Sequence, residues 1–378
     1  MAPIKLGFVG LSSTGWAANA LAPVLLQKPL SDEYSMVAVS TRSAESASAS
    51  AEKYSKLAGS NVKAYHGSTE AIAEDPEVDL VAISVKTPDH KGAVLPAIEK
   101  RKDVFLEWPL GNGLQESIEL AEVARRKGIR TFIGLQSWQS PAVNKVREWV
   151  SSGQIGRVLS VNWIGSKPAE VPYWVPFSNS RDLYALDPQN GATLLSIFVG
   201  HNLSAITYAL GPLSSVTATS AQLFKETRLL GADGSPSGET RTVTGADQYS
   251  FSGILRDSGA ILTASWRSGI TTTKESDKHR PSLIWLIDGD EGHIRVESTS
   301  TTGGAFQIAG GHKVILNGKE VDVFEREDTL GNTGRAWQEF AKGEVGNYPN
   351  FDDAVTVYRQ LDAIERSAKE GRRVETNV

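Results

Sequence analysis

Apolar positions along the first 135 residues come in short blocks, not as single alternating residues. Such blocks stand at 4–10, 36–40, 78–84, 103–107 and 130–134, and stretches of helical composition stand at 15–26, 44–57, 90–101 and 114–127. A run such as Val78-Asp-Leu-Val-Ala-Ile-Ser84, bounded by polar residues, reads as a strand buried on both faces. Strands alternating with helices form βαβ units, and those predict a parallel sheet.

The texture changes after about residue 150. A strand-like segment at 158–164 leads into a proline- and aromatic-rich loop at 168–177, and a helix is predicted over roughly 190–210. Strand-like runs follow at 214–224, 248–256, 259–268, 282–288 and 292–297, with no helical pattern between them. Strands in succession predict a mostly antiparallel sheet. Residues 230–246 have turn composition and read as a surface loop, and helices at 332–342 and 351–370 close the chain.

With 378 residues the chain exceeds a typical single domain. Hydrophobic residues make up 40% and charged residues 22%, a soluble globular balance with ample core material. The net charge of −5 offers no global attraction to nucleic acid or to an anionic membrane, so neither is expected as a partner. The absence of cysteine excludes disulfides, thiolate zinc sites and cysteine nucleophiles. His66, His279, His293 and His312 stand isolated, so no metal site is expected. No signal-peptide region precedes the first strand, and no run approaches the ~18 apolar residues of a membrane span. A cytoplasmic protein is the expectation.

The first strand ends in Gly10-Leu-Ser12-Ser-Thr14-Gly15-Trp16, the G-x-G-x-x-G pattern with serine in the second glycine's place. That pattern serves a tight turn, close backbone approach to a pyrophosphate, and a helix N-terminus aimed at the anion. Its position in the first βαβ unit makes it a dinucleotide loop, with a structural glycine turn as the alternative. The second strand ends in Ser40-Thr41-Arg42-Ser43, with no carboxylate to hold ribose hydroxyls. A guanidinium among hydroxyls suits a 2′-phosphate, so NADP(H) is preferred over NAD(H). The fold class is α/β. A Rossmann fold with a parallel sheet is expected over 1–150. An α+β domain with a large, mostly antiparallel open sheet is expected over 151–378, for substrate binding and oligomerisation, with the last helices able to pack back onto the first domain.

Four segments together carry a family resemblance: Gly10-Leu-Ser-Ser-Thr-Gly-Trp-Ala17, Lys86-Thr87-Pro88-Asp-His90, Glu107-Trp108-Pro-Leu110 and Ser152-Gly-Gln-Ile-Gly156. The chain resembles the glucose–fructose oxidoreductase / inositol dehydrogenase (Gfo/Idh/MocA) family, and within it the branch of the galactose-pathway repressors of yeasts. The resemblance implies hydride transfer between a nicotinamide and a small sugar-like hydroxyl or carbonyl compound. It also implies homodimers or homotetramers built on the C-terminal sheet. Two departures stand out. Trp108 occupies the place of the family's lysine, and the family's aspartate, four residues before the histidine His201, is here Ile197, with Ser196 one place further back.

His201 and Lys86 are therefore the candidate proton carriers, the histidine because its ordinary pKa near 6.5 suits exchange near neutrality. Thr87, Pro88, His90, Glu107 and Trp108 join Gly10, Ser12, Thr14, Gly15, Trp16, Ser40, Thr41 and Arg42 as candidate cofactor contacts, with a helix cap as the other reading for His90. Tyr173, Trp174, Arg181 and Tyr184 are the candidate substrate contacts, as aromatic walls with a few polar groups describe a small-molecule pocket. A reductase of an imine, or a non-catalytic dinucleotide-binding regulator, are the competing functional readings.

Overall fold

The computed structural model describes every residue except 1, 14, 170, 232, 271–279, 300–306, 325–327 and 345, and leaves the side chain of Ile270 outside the description. The chain divides into two compact units, Met1–Gln136 with Thr329–Val355 and Ser137–Asp328 with Thr356–Val378.

The first unit is built on β1 (Ile4–Val9), β2 (Tyr34–Thr41), β3 (Lys63–His66), β4 (Leu80–Ile83), β5 (Asp103–Leu106) and β6 (Thr131–Ile133). They pair in parallel in the order β3-β2-β1-β4-β5-β6. The strand order reverses between β1 and β4, and ligands of open α/β sheets bind outside the carboxyl ends of the strands at that reversal. All four residues of β4 are buried, as its unbroken apolar run predicts. The edge strand β3 escapes the sequence pattern because Lys63-Ala-Tyr-His66 is only half covered and has no apolar run to betray it.

The helix expected over 15–26 is in fact a wide π turn, Ala17–Leu21, running into α1 (Ala22–Leu25). Pro23 has no N–H to give to the carbonyl four residues back, and its ring crowds that carbonyl, so a regular α-turn is disfavoured just before it. Then follow α2 (Leu30–Glu33), α3 (Ala44–Ala58), α4 (Glu70–Glu74), α5 (His90–Glu99) and α6 (Leu114–Lys127). Ser43 caps α3, its hydroxyl accepting from the Ser46 N–H at 3.2 Å.

The second unit begins with α7 (Pro141–Ser151), β7 (Val158–Pro168) and β8 (Phe177–Asn179). A π turn, Leu194–Val199, passes directly into α8 (Gly200–Leu210). The strands β9 (Leu213–Ala221), β10 (Glu226–Leu230), β11 (Pro236–Thr242), β12 (Gln248–Leu255), β13 (Ile261–Ile270), β14 (Leu283–Gly289), β15 (His293–Ser298), β16 (Lys313–Leu316) and β17 (Lys319–Glu320) follow. After α9 (Gly331–Lys342) and α10 (Phe351–Glu370) the chain ends in β18 (Val374–Glu375).

Nine strands form the large sheet, in the order β17-β16-β15-β14-β7-β13-β12-β9-β18. Its pairs are antiparallel except β7 with β13. On its buried side Trp163 packs on Trp285 and Trp266, with ring centres 5.1 and 6.0 Å apart. Gly165 leaves the space they need, since a Cβ there would stand 2.5 Å from the Trp266 ring. Leu159, Ile164 and Ile261 are exposed.

Two sequence expectations need correction. Residues 230–246 are not simply a loop, because β11 lies within them, pairs antiparallel with β10 and is exposed at every residue. A strand with no buried face needs no apolar alternation, so its Gly, Ser and Thr content concealed it. Pro188–Leu210 is long and apolar enough to cross a membrane, where no such run was expected, yet 72% of that apolar window is buried inside the protein.

α9 belongs to the first unit. Its Trp337 is fully buried, edge-on to Tyr34 at 5.4 Å and packed against Phe105 at 4.6 Å and Phe132 at 5.2 Å. The Tyr34 hydroxyl donates to the Trp337 carbonyl at 2.7 Å. α10 starts in the first unit and continues in the second, where the buried Gln360 accepts the Leu213 N–H at 2.9 Å.

Candidate dinucleotide site

The turn after β1 is built as the glycine pattern requires. Gly10 has φ +84°, and a Cβ on it would fall 2.1 Å from the Ser84 carbonyl oxygen, so no other residue fits. Its N–H donates to the Ser40 carbonyl at 2.9 Å, which ties the turn to the end of β2, and the Ser12 N–H folds back on the Gly10 carbonyl at 3.1 Å. Gly15 has φ +103° with open space where a Cβ would stand. Thr14 lies outside the described residues. Sequence reasoning missed what supports this turn from α3. The buried Ser50 hydroxyl donates to the Leu11 carbonyl at 2.5 Å, and the Lys53 ammonium donates to the Ser13 carbonyl at 3.2 Å.

At the end of β2, Ser40 and Thr41 are buried and Arg42 is exposed. The Thr41 hydroxyl donates to the Ser43 carbonyl at 3.2 Å.

Glu107, at the end of β5, is enclosed by neutral donors. The Trp16 indole N–H reaches one carboxyl oxygen at 2.9 Å, the Trp108 N–H the other at 3.3 Å, and the Gln136 amide both at 3.3 and 3.4 Å. Gly134 makes the room, since a Cβ there would lie 2.3 Å from the carboxylate. Burial, partly offset by those donors, pushes the Glu107 carboxyl up to about 7. Trp16 itself is 49% exposed beside the turn. Trp108 is buried and joined to Pro109 by a cis peptide. Neither Gly134 nor Gln136 carried a sequence signal, because their roles depend on a side chain some thirty positions away.

Beyond β4, Lys86 and Pro88 are exposed and Thr87 is buried in a single 3₁₀ turn. His90 opens α5 but is enclosed, one ring nitrogen 2.6 Å from the Pro109 carbonyl and the other 3.2 Å from that of Val85. A neutral imidazole donates only once, and the shorter contact identifies Nδ1 as the protonated nitrogen. Burial lowers its pKa more than these carbonyls raise it. His90 thus joins the loop after β4 to the loop after β5, and its ring faces those loops, not solvent.

In the second unit, His201 is the second residue of α8 and is buried. Burial alone holds its pKa near about 3, so it is neutral at ordinary pH and offers an N–H hydrogen bond but no spare proton. This corrects the expectation of a histidine titrating near 6.5. The π turn before it contains Ser196, five residues before His201. The Ser196 hydroxyl donates to the Gly191 carbonyl at 2.5 Å and accepts the Thr193 N–H at 2.8 Å.

The expected substrate loop is largely packed. The phenols of Tyr173 and Tyr184 stand 2.9 Å apart, and burial raises both their pKa values. Trp174 has φ +62° and donates its indole N–H to the Ala192 carbonyl at 2.7 Å. It lines a small pocket with Thr193, Asp247 and Ser268. Arg181 is exposed near Asp182 at 3.6 Å. Among the described residues no group of three or more His, Asp or Glu is placed to hold a metal.

Comparison with known proteins agrees with this geometry. Residues 4–135 match the model of the oxidoreductase family with an NAD-binding Rossmann fold, and residues 141–298 match that of the Gal80p C-terminal domain. The chain is 31% identical to dehydrogenase aclE of Aspergillus oryzae, over 98% of this chain and 97% of that protein. It is 24% identical to the galactose/lactose metabolism regulatory protein GAL80 of Saccharomyces cerevisiae, over 97% and 93%. Its fold matches the crystal structure of a super-repressor mutant of that yeast's Gal80p with a TM-score of 0.86, at 23% identity over the whole of both chains. The chain belongs to the Gfo/Idh/MocA oxidoreductase family, in the branch whose second domain is Gal80-like.

Proposed function

We propose that this chain is an NADP(H)-dependent oxidoreductase acting on a small hydroxyl, carbonyl or imine compound, sugar-like in size and polarity. The observation that carries the reading is the turn at Gly10, closed against Ser84 and tied to the end of β2, in a chain 31% identical to a named dehydrogenase along its length. When bound, the nicotinamide supplies or accepts the hydride. The chain's own residues bind and orient. The Gly10–Gly15 turn and the helix that follows face the pyrophosphate, Arg42 with Ser40 and Thr41 favours the 2′-phosphate, and Trp16, Glu107 and Trp108 hold the nicotinamide end. Thr87 and Pro88 line the cofactor from the loop after β4. Lys86 is the proton carrier of the first unit. Neutral His201 donates a hydrogen bond to the substrate, and Tyr173, Trp174, Arg181 and Tyr184 set its selectivity. The protein works in the cytoplasm as a homodimer or homotetramer through the large sheet, with neither nucleic acid nor membrane as partner.

A second reading, a dinucleotide-binding regulator without turnover, is favoured by Trp108 in the lysine's place, by the neutral His201 and by the Gal80-like second domain. One experiment separates them. The purified protein is titrated with NADPH and NADH by tryptophan fluorescence, then screened against aldoses, ketones and cyclic imines for loss of nicotinamide absorbance. Tight NADPH binding with turnover supports the enzyme. Tight binding without turnover across the panel favours the regulator, and no binding removes both.

A further inference from the structure

We propose that Lys53 is a second cation, with Arg42, for the 2′-phosphate of the dinucleotide. The inference rests on the cofactor reading above and names a residue that sets its preference. Ser50 and Lys53 are three positions apart and so share a face of α3. That face grips the glycine turn, through the Ser50 hydroxyl on the Leu11 carbonyl and the Lys53 ammonium on the Ser13 carbonyl. α3 thereby delivers a charge to the turn itself. Arg42 stands two residues beyond Ser40, whose carbonyl accepts the Gly10 N–H, so the strand end that carries it is bonded to the same turn.

The neighbouring lysine on the helix shows the contrast. Lys56 pairs with Glu52 at 2.6 Å, both exposed, an ordinary solvated ion pair. Among the described residues neither Lys53 nor Arg42 has a carboxylate within ion-pair distance. The polar partner described for Lys53 is a neutral carbonyl, which an ammonium readily exchanges for, or shares with, a phosphate oxygen. A phosphate dianion at this strand end, which lacks a carboxylate, would be served by both cations. A dinucleotide without the 2′-phosphate offers them no such partner.

The test compares wild type, Lys53→Met and Lys53→Arg by tryptophan fluorescence titration with NADPH, NADH, and ADP-ribose with and without a 2′-phosphate. Thermal midpoints serve as a check on folding. Lys53→Met is expected to weaken NADPH and the 2′-phosphorylated fragment by about tenfold or more beyond any loss it causes for NADH and plain ADP-ribose, and Lys53→Arg to restore the preference. Equal weakening of both ligand classes would overturn the inference, since it would mean that Lys53 only props the turn. No change in either would overturn it as well. A wild type that prefers NADPH beside an indifferent Lys53→Met removes Lys53 alone, whereas a wild type that binds no dinucleotide, or favours NADH, takes the NADP(H) reading with it.

Discussion

The Trp16 indole N–H is bonded to the Glu107 carboxyl at 2.9 Å, joining the helix that follows the glycine turn to the end of β5 across 91 positions of sequence. Every described partner of that carboxyl is a neutral donor, so its charge is solvated by dipoles alone.

Glu107 should therefore make the folded state pH-sensitive. Its folded pKa, about 7, lies above the ordinary carboxyl value, so between about 4.5 and 7 the folded protein keeps a proton that the unfolded chain has released. Stability falls as pH rises through that window, by about 3 kcal/mol in all. Denaturant midpoints of Glu107→Gln and wild type at pH 5 and pH 8 check this, and the variant's advantage should grow with pH. A constant difference would mean that the carboxylate is ionised at no cost.

Gly134→Ala should cost about 1–3 kcal/mol, because its Cβ meets the Glu107 carboxylate at 2.3 Å. In a Glu107→Ala background the carboxylate clash is gone and the cost of the second substitution should fall, leaving the close approach to the Trp108 backbone nitrogen at 3.1 Å. A double-mutant cycle measures the coupling, and additive effects would contradict the packing described.

Arg42→Ala should weaken NADPH far more than NADH, since a guanidinium at the end of β2 serves a phosphate and has no such partner on a plain ribose. Isothermal titration with both ligands reads this directly. Equal losses would dismiss the 2′-phosphate assignment.

His201 titrates the folded protein in the opposite sense from Glu107. Its folded pKa near about 3 is below the unfolded 6.5, so its contribution is fully present above 6.5 and is lost as pH falls towards 3. His201→Asn should flatten the acid side of the stability curve. With a turnover assay in hand, the same variant should lower kcat without removing an inflection near 6.5, because neutral His201 contributes none there.

The sheet of the first unit is legible in the sequence where strands are buried on both faces, as at Leu80–Ile83, because apolar continuity is then obligatory. It is illegible at Lys63–His66, and β11 of the second unit (Pro236–Thr242) is illegible for the same reason, since exposure lifts that demand. The site divides in the same way. Gly10 can be read from the sequence because its reason is a local backbone angle. The grip of Ser50 and Lys53 on the turn, and of Gln136 on Glu107, depends on which distant side chains the fold brings together. His201 shows a third case, since residue type suggests a proton carrier at neutrality and burial alone cancels it.

Trp337 has a further meaning for how the protein is made. The strands of the first unit emerge from the ribosome early, but the indole that fills the space among Tyr34, Phe105 and Phe132 is encoded near the other end of the chain. Until that segment is translated, the nascent nucleotide-binding half carries an open aromatic seam, while all the strands of the large sheet but the last are already synthesised. A message truncated after residue 136 would yield a sheet with its core unsealed, a substrate for chaperones and proteases, and not a miniature of the finished domain.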